Sequence, residues 1–232
     1  AKANSVEQVN NDDTVKLVIL PDGSKALLEP KSKLAYARNF SPVNREVYLT
    51  GEAFFDIKKN VSKPFLVFTN TIITKVLGTS FRVKAWSADQ TAIVAVKTGK
   101  VSVYKSGTFK NVYAKGPELG GIVVTPNQSI IYNIENKSFN KTLAEKPSLI
   151  ILSPATSFVF DATPVTKVFK KMEDAYRIPI IYDEETISTC SLSANLGDEP
   201  FYDKLNIICK AIGASYEMID GSIVISSGGC KK

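Results

Sequence analysis

Histidine is absent from the 232 residues, tryptophan occurs once and methionine twice. The first absence removes the commonest general base and the commonest metal ligand, so an enzyme or metal-centred reading starts with a handicap. The three cysteines include no Cys-x-x-Cys pair and lack the fourth ligand of a structural zinc site. No apolar run approaches the roughly 18 residues needed to cross a bilayer. The chain also lacks a Ser-based nucleophile elbow, a phosphate-cradling glycine loop and an Asp-x-Asp-x-Asp calcium loop. We therefore expect no enzyme activity, no cofactor and no metal. The net charge is +6, yet the lysines are scattered, with short clusters only at Lys58-Lys59, Lys170-Lys171 and Lys231-Lys232. Without a basic stripe or helix, that excess reads as a solvated surface and not as a nucleic-acid site.

What is present is a folded chain, 44% apolar and 22% charged, long enough for one large core or two modest ones. Up to about residue 155 the apolar positions alternate or come in short bursts between turn residues. Examples are Phe81-Val83-Ala85, Ile93 to Val96, Val101-Val103, Ile122 to Val124 and Ile130 to Tyr132. This predicts an all-β domain over 1–140 (sandwich, barrel or short solenoid), followed by a linker over 141–157. Then the period changes. Val165, Val168, Phe169, Met172 and Tyr176 share one helical face behind Pro164, and Phe201, Leu205, Ile208 and Ile212 share another behind Pro200, with Gly213 as the stop. Each helix lies between two short β-runs. The spacing predicts a duplicated β-α-β unit over 158–232, one sheet against two helices in a small α+β domain.

Five cassettes in the first region carry more than fold. They are Leu-Pro-Asp-Gly-Ser (20–24), Arg45 to Ile57 with its Leu-Thr-Gly-Glu-Ala-Phe-Phe core, Pro-Phe-Leu-Val (64–67), Leu-Gly-Thr-Ser-Phe-Arg-Val (77–83) and Gly-Lys-Val-Ser-Val (99–103). In this order they resemble the periplasmic sensor domain of FecR-type anti-sigma regulators, over roughly residues 15–135. The second region resembles the short N-terminal domain of secretins and TonB-dependent receptors. The echoes are Phe158-x-Phe160, Leu192 to Asn195, Cys190, Cys209 and the closing Gly228-Gly229-Cys230. The resemblance implies a periplasmic sensor that relays a signal from a TonB-dependent outer-membrane transporter to an ECF-type sigma factor, with residues 155–232 contacting the transporter's signalling domain. It further implies an inner-membrane anchor and a cytoplasmic sigma-binding segment upstream of Ala1, where no charged-then-apolar leader stands. The competing expectation is a periplasmic or surface module that binds glycan or an envelope complex.

Two residue sets follow from that setting. In an oxidising periplasm one disulfide is expected, either Cys190–Cys230 or a bridge using Cys209; spacing does not choose, and three unpaired thiols is the third outcome. Some members of the resembled family cut their own chain at a Gly–Thr bond, here Gly78-Thr79, by attack of the Thr79 hydroxyl on the Gly78 carbonyl. With no histidine, Glu52, Asp56 or water would have to take the proton. The plainer reading is a tight turn with a buried Thr79. Trp86 and the phenylalanines read as core, an exposed aromatic pair being the sugar-platform alternative, and Asp22, Glu52 and Asp56 read as caps on turn amides.

Overall fold

The computed structural model describes residues 5–107, 113, 121–150 and 157–230. The chain divides into a unit of residues 1–125 and 129–140 and a second of 126–128 and 141–232.

The first unit is all β: β1 (Ser5–Val9), β2 (Lys16–Ile19), β3 (Lys25–Leu28), β4 (Lys33–Ala37), β5 (Arg45–Asp56), β6 (Phe65–Phe68), β7 (Ile72–Val76), β8 (Ser80–Ala85), β9 (Thr91–Thr98), β10 (Val101–Lys105), β11 (Ile122–Val124), β12 (Gln128–Asn133) and β13 (Ser138–Leu143). The long strand β5 belongs to two sheets. Its first half pairs antiparallel with β4 and parallel with β6, and its second half pairs antiparallel with β3 and β8. One sheet therefore runs β1-β4-β5-β6-β7-β10-β11 and the other β2-β3-β5-β8-β9-β12-β13. The changeover falls at Gly51, whose φ is +106° and where a Cβ would lie 2.9 Å from the Ser32 Cα. Only glycine fits that corner. Ser32 uses the space: its Oγ accepts the Glu52 N–H at 2.9 Å.

Of the three all-β forms that the sequence allows, the chain comes nearest the barrel: its two arms join along β5 into one large, incompletely closed sheet. Inward side chains alternate along β5 as Val47, Leu49, Ala53 and Phe55, and they meet Phe65, Phe81, Val94 and Val101 from both sheets. Phe55 stacks on Phe81 with ring centroids 5.4 Å apart. Each such fully buried side chain contributes about 2–3 kcal/mol. Trp86, expected in the core, sits half-buried at a turn where its carbonyl accepts the Asp89 N–H.

The first three cassettes meet at one buried cation. The Arg45 side chain is 2% exposed; its Nη1 donates to Asp22 Oδ2 at 2.7 Å and to the Lys58 carbonyl at 2.9 Å, and its Nε donates to the Lys63 carbonyl at 2.9 Å. The guanidinium also lies over the Phe65 ring. Asp22 is fixed by the Ser24 N–H and hydroxyl, and the Ser24 Oγ accepts the Lys58 N–H. Thus the Leu-Pro-Asp-Gly-Ser turn, the start of β5 and the Pro-Phe segment share one set of bonds.

The second unit runs β14 (Val159–Pro164), α1 (Val165–Tyr176), β15 (Ile180–Ile181), α2 (Glu184–Ile187), β16 (Ser191–Asn195), α3 (Phe201–Ala211), β17 (Ala214–Ile219) and β18 (Ser222–Ser227). The two predicted helices form, with the predicted faces buried. Pro164 and Pro200 stand at the N-caps, and Gly213 follows the last helical turn with φ +65°. The single sheet expected here is two: β14 pairs with β16, and β15-β18-β17 form a separate set. A register shift between Phe160 and Thr163, and a β15 of only two residues, keep the ladders apart. Residues 141–143, placed by sequence in the linker, complete β13, and Leu143 is buried in this unit's core. The linker's residues 151–156, like Lys231-Lys232, lie outside the described residues.

Two polar side chains organise this unit. Lys204, 1% exposed on α3, donates to the carbonyls of Leu196, Gly197 and Glu199 and lies over the Phe158 ring; burial pulls its ammonium below the usual lysine range. Asn127, in the left-handed region at φ +62°, donates from Nδ2 to the Ser148 and Tyr176 carbonyls and accepts the Ser148 N–H.

The Arg45 hub generates a pH-dependent prediction. Burial raises the Asp22 carboxyl, but the bonds from Arg45 and Ser24 outweigh it and hold it below the ordinary value of 3.8. A depressed carboxylate contributes stability above its unfolded value and loses it as pH falls through the folded value. Asp22→Asn, which leaves a buried guanidinium without its anion, is expected to cost about 3 kcal/mol at pH 7 in denaturant unfolding. The gap from the parent protein should close below pH 3.8; a pH-independent gap would contradict the ion pair as its source.

Candidate functional site

Gly78 and Thr79 lie between β7 and β8, against the chain that follows β5. The Asn60 N–H donates to the Leu77 carbonyl at 2.6 Å and the Ile57 N–H to the Thr79 carbonyl at 3.1 Å. A Cβ on Gly78 would stand 2.4 Å from the Lys59 Cα, so glycine is set by close backbone approach. A cavity of about 250 Å3 opens beside this turn, lined by Lys75, Leu77, Gly78, Thr79, Lys100 and Ser102 among others. Burial lowers the Lys75 ammonium from the usual lysine range.

Thr79 is buried, and its Oγ1 donates to the Lys100 carbonyl at 3.0 Å. A nucleophile needs a base on that proton, and an amide carbonyl does not serve as one. The two carboxylates proposed from sequence are engaged elsewhere. Glu52 takes the Arg82 guanidinium, which also reaches Glu29, and Asp56 accepts the Ser80 hydroxyl at 2.7 Å. Of the three expected turn caps, only Asp22 receives a backbone amide among the described residues, that of Ser24. Among the described residues no group of three or more Cys, Asp or Glu is placed to hold a metal ion.

The cysteines fall in the second unit. Cys190 and Cys230 are joined, with Cα atoms 5.3 Å apart, while Cys209 on α3 is buried and unpaired. Burial pushes the Cys209 thiol up to about 11. The bridge ties the end of β18 to the start of β16 and closes a loop of 40 residues, a constraint worth up to about 4 kcal/mol in the chain-entropy account.

The three-stranded sheet supplies an open edge. Among the described residues β17 pairs only with β18, in a hairpin turned by Asp220 and Gly221, both at positive φ. Ile219 opposite Ser222 flanks this two-residue turn, so Ile219, Glu217 and Ser215 direct their backbone bonds to β18. Met218 and Tyr216 consequently present theirs outward. Met218 and Ile219 are 55% and 52% exposed, an apolar character rare on an unprotected edge. Among the described residues no helix is long and apolar enough to cross a membrane.

Two outcomes are expected. Incubated at neutral pH, the chain should keep its intact mass of 25.3 kDa, because the Thr79 hydroxyl is turned to the Lys100 carbonyl; a fragment ending at Gly78 would show that the turn rearranges before it reacts. With iodoacetamide the native protein should take no label, the unfolded unreduced protein one at Cys209, and the reduced unfolded protein three. Labelling of Cys209 in the native state would mean that α3 opens.

Comparison with known proteins places these units. The family model "FecR protein" matches residues 9–102, and the model "FecR, C-terminal" matches residues 157–225. Two crystal structures of a "putative anti-sigma factor" from Parabacteroides distasonis ATCC 8503, at 2.50 and 1.65 Å resolution, are similar to this chain. Each is 27% identical, with a TM-score of 0.53 over 96% of this chain and 99% of that one. No curated protein matches. The cassettes that meet at Arg45 lie within the first matched span and the duplicated β-α-β unit fills the second, and with both spans accounted for the chain belongs to the FecR family of anti-sigma regulators.

Proposed function

We propose that this chain is the periplasmic sensor segment of a membrane-anchored anti-sigma regulator. It relays the state of a TonB-dependent outer-membrane transporter to an ECF-type sigma factor, which a cytoplasmic segment outside these residues would hold. It works by binding and not by turnover. The observation that carries this reading is the open apolar edge of β17 within the span matched by the FecR C-terminal model. An extended segment of the transporter's signalling domain would add to it as a further strand, backbone bonds giving affinity and the Met218 and Ile219 side chains giving choice of partner. The disulfide agrees with an oxidising compartment.

One observation favours the glycan-binding alternative. Tyr48 and Tyr113 are 54% and 49% exposed on the first unit, and both hydroxyls donate to the Glu46 carboxylate. Such an arrangement offers a ring face beside an acceptor for sugar hydroxyls.

Titration against the purified signalling domain of the transporter encoded beside this protein separates the two. We expect saturable binding that Met218→Pro weakens by at least about tenfold, since proline removes an outward N–H while leaving the bonds to β18 in place. Binding that ignores Met218→Pro would move the contact off this edge. Absence of binding, with a rise in thermal midpoint on adding glycan, would favour the alternative.

A further inference from the structure

A second apolar edge stands in the first unit, and it complements itself. Among the described residues strand β2 pairs only with β3. Val15, Leu17 and Ile19 alternate along it on the outer face at 47%, 54% and 55% exposure, and Leu27 lies beside Leu17 on β3 at 38%. Two other end strands, β1 and β13, are built differently. The alternate residues Ser5, Glu7 and Val9 of β1 include a Glu7 held by Lys33, and β13 exposes Ser138 and Asn140. Edges dressed with charge and polar groups resist pairing, and β2 lacks that dressing.

Charge is distributed unevenly along this edge. At its start stand Asp12 and Asp13, both exposed, with Glu29 just past the facing end of β3. At its end stand Lys25, opposite Ile19, and Lys58, whose Nζ lies against Gly23 in the turn after β2; both lysines are exposed. Glu29 is taken by Arg82, which also bonds Glu52, so the start is acidic through Asp12 and Asp13; Lys16, which donates to the Val9 carbonyl, and Asp56, which lies opposite Lys25 and accepts from Ser80, keep their charges.

We infer that β2 is a homodimer interface, in which two copies of this chain pair their β2 strands antiparallel about a two-fold axis. Antiparallel pairing brings the acidic start of one strand to the basic end of the other, twice. It also lays the Val15, Leu17 and Ile19 stripe of each copy beside its equivalent, so one patch serves as both halves of the contact. A parallel arrangement would set acid against acid and base against base. The two copies then share one continuous sheet, and the exposed stripe is covered by its own kind.

Sedimentation equilibrium of the full chain from about 1 µM to about 1 mM tests this. The mass should rise reversibly from 25.3 kDa towards twice that value, and added salt should weaken the association. Leu17→Lys with Ile19→Lys should raise the dissociation constant at least about tenfold while leaving the thermal midpoint of the monomer, read at about 1 µM, unchanged, because both side chains face solvent in the single copy. Asp12→Lys with Asp13→Lys should weaken the dimer, and adding Lys25→Asp with Lys58→Asp should restore it, which neither misfolding nor a parallel contact would produce. A monomer throughout the range overturns the inference and leaves the stripe to a strand from another protein. So does a dimer indifferent to the two lysines at positions 17 and 19, or a charge swap that fails to restore pairing.

Discussion

The buried guanidinium of Arg45 is the constraint on which the first unit depends. Removing a cation from water is costly, and the cost is offset only where acceptors are already held in place. Here the acceptors are Asp22 and the carbonyls of Lys58 and Lys63, with the Phe65 ring against the guanidinium, so the turn at 22 and the segment 58–65 are tied to the start of β5. A lysine would not replace this residue, because a point charge on a flexible stem cannot address acceptors from two edges of a rigid plane. Nη2 has no hydrogen-bond partner among the described residues, so the site is already one bond short and tolerates little further loss.

Because Arg45 opens β5, the hub also sets where the shared strand begins. From there the alternation carries Val47 and Leu49 into the core, passes the corner at Gly51, and continues with Ala53 and Phe55 without changing phase. Strand phase is what the two sheets have in common. A one-residue slip at the corner would turn Phe55 and Ala53 out to solvent and leave the second sheet without its inner face. The Ser32 hydroxyl, bonded to the Glu52 amide in the space where a Cβ on Gly51 would intrude, holds that phase through the bend.

Much of this was legible in the residues. Alternating runs identified the β unit, the change to a helical period identified the second unit, and Pro164 and Pro200 marked where its helices start. Sandwich, barrel and solenoid stayed open because alternation reports which side chains face inward and not which strand lies alongside. The inward set along β5 looks the same whether that strand serves one sheet or two. The parallel pairing of β5 with β6 is equally silent, since β6 is buried on both faces and shows no alternation. Lys204 escaped notice because helical periodicity places a lysine on a polar face, and only the fold brings three carbonyls to its amine. Asn127 escaped because its bonds reach residues 148 and 176, too distant in sequence for any local pattern. Trp86 was misplaced by its size: large aromatics favour the interior on average, but this one follows β8, where the chain is already turning outward. For the proton acceptors of Thr79 the difficulty was similar, as proximity of Glu52 and Asp56 in a motif says nothing about the arginine and serine that claim them.

The edges bear on what the proposed relay would require. An exposed backbone edge with apolar side chains is a standing invitation to wrong partners. Among the described residues β2 and β17 are two such edges; they lie in different units and differ in design. Along β2 the charges are arranged so that a copy of the same strand fits; on β17 the outward backbone at Tyr216 and Met218 has no such self-complement beside it. A receptor whose only interface bound its partner equally in every state would pass on no information, because a ligand shifts an equilibrium only through a difference in affinity between states. Two interfaces in one chain allow that difference to exist. If occupation of β17 alters the strength of pairing at β2, the reverse must hold by the same factor, so the copy number of the sensor and the occupancy of its partner become one equilibrium.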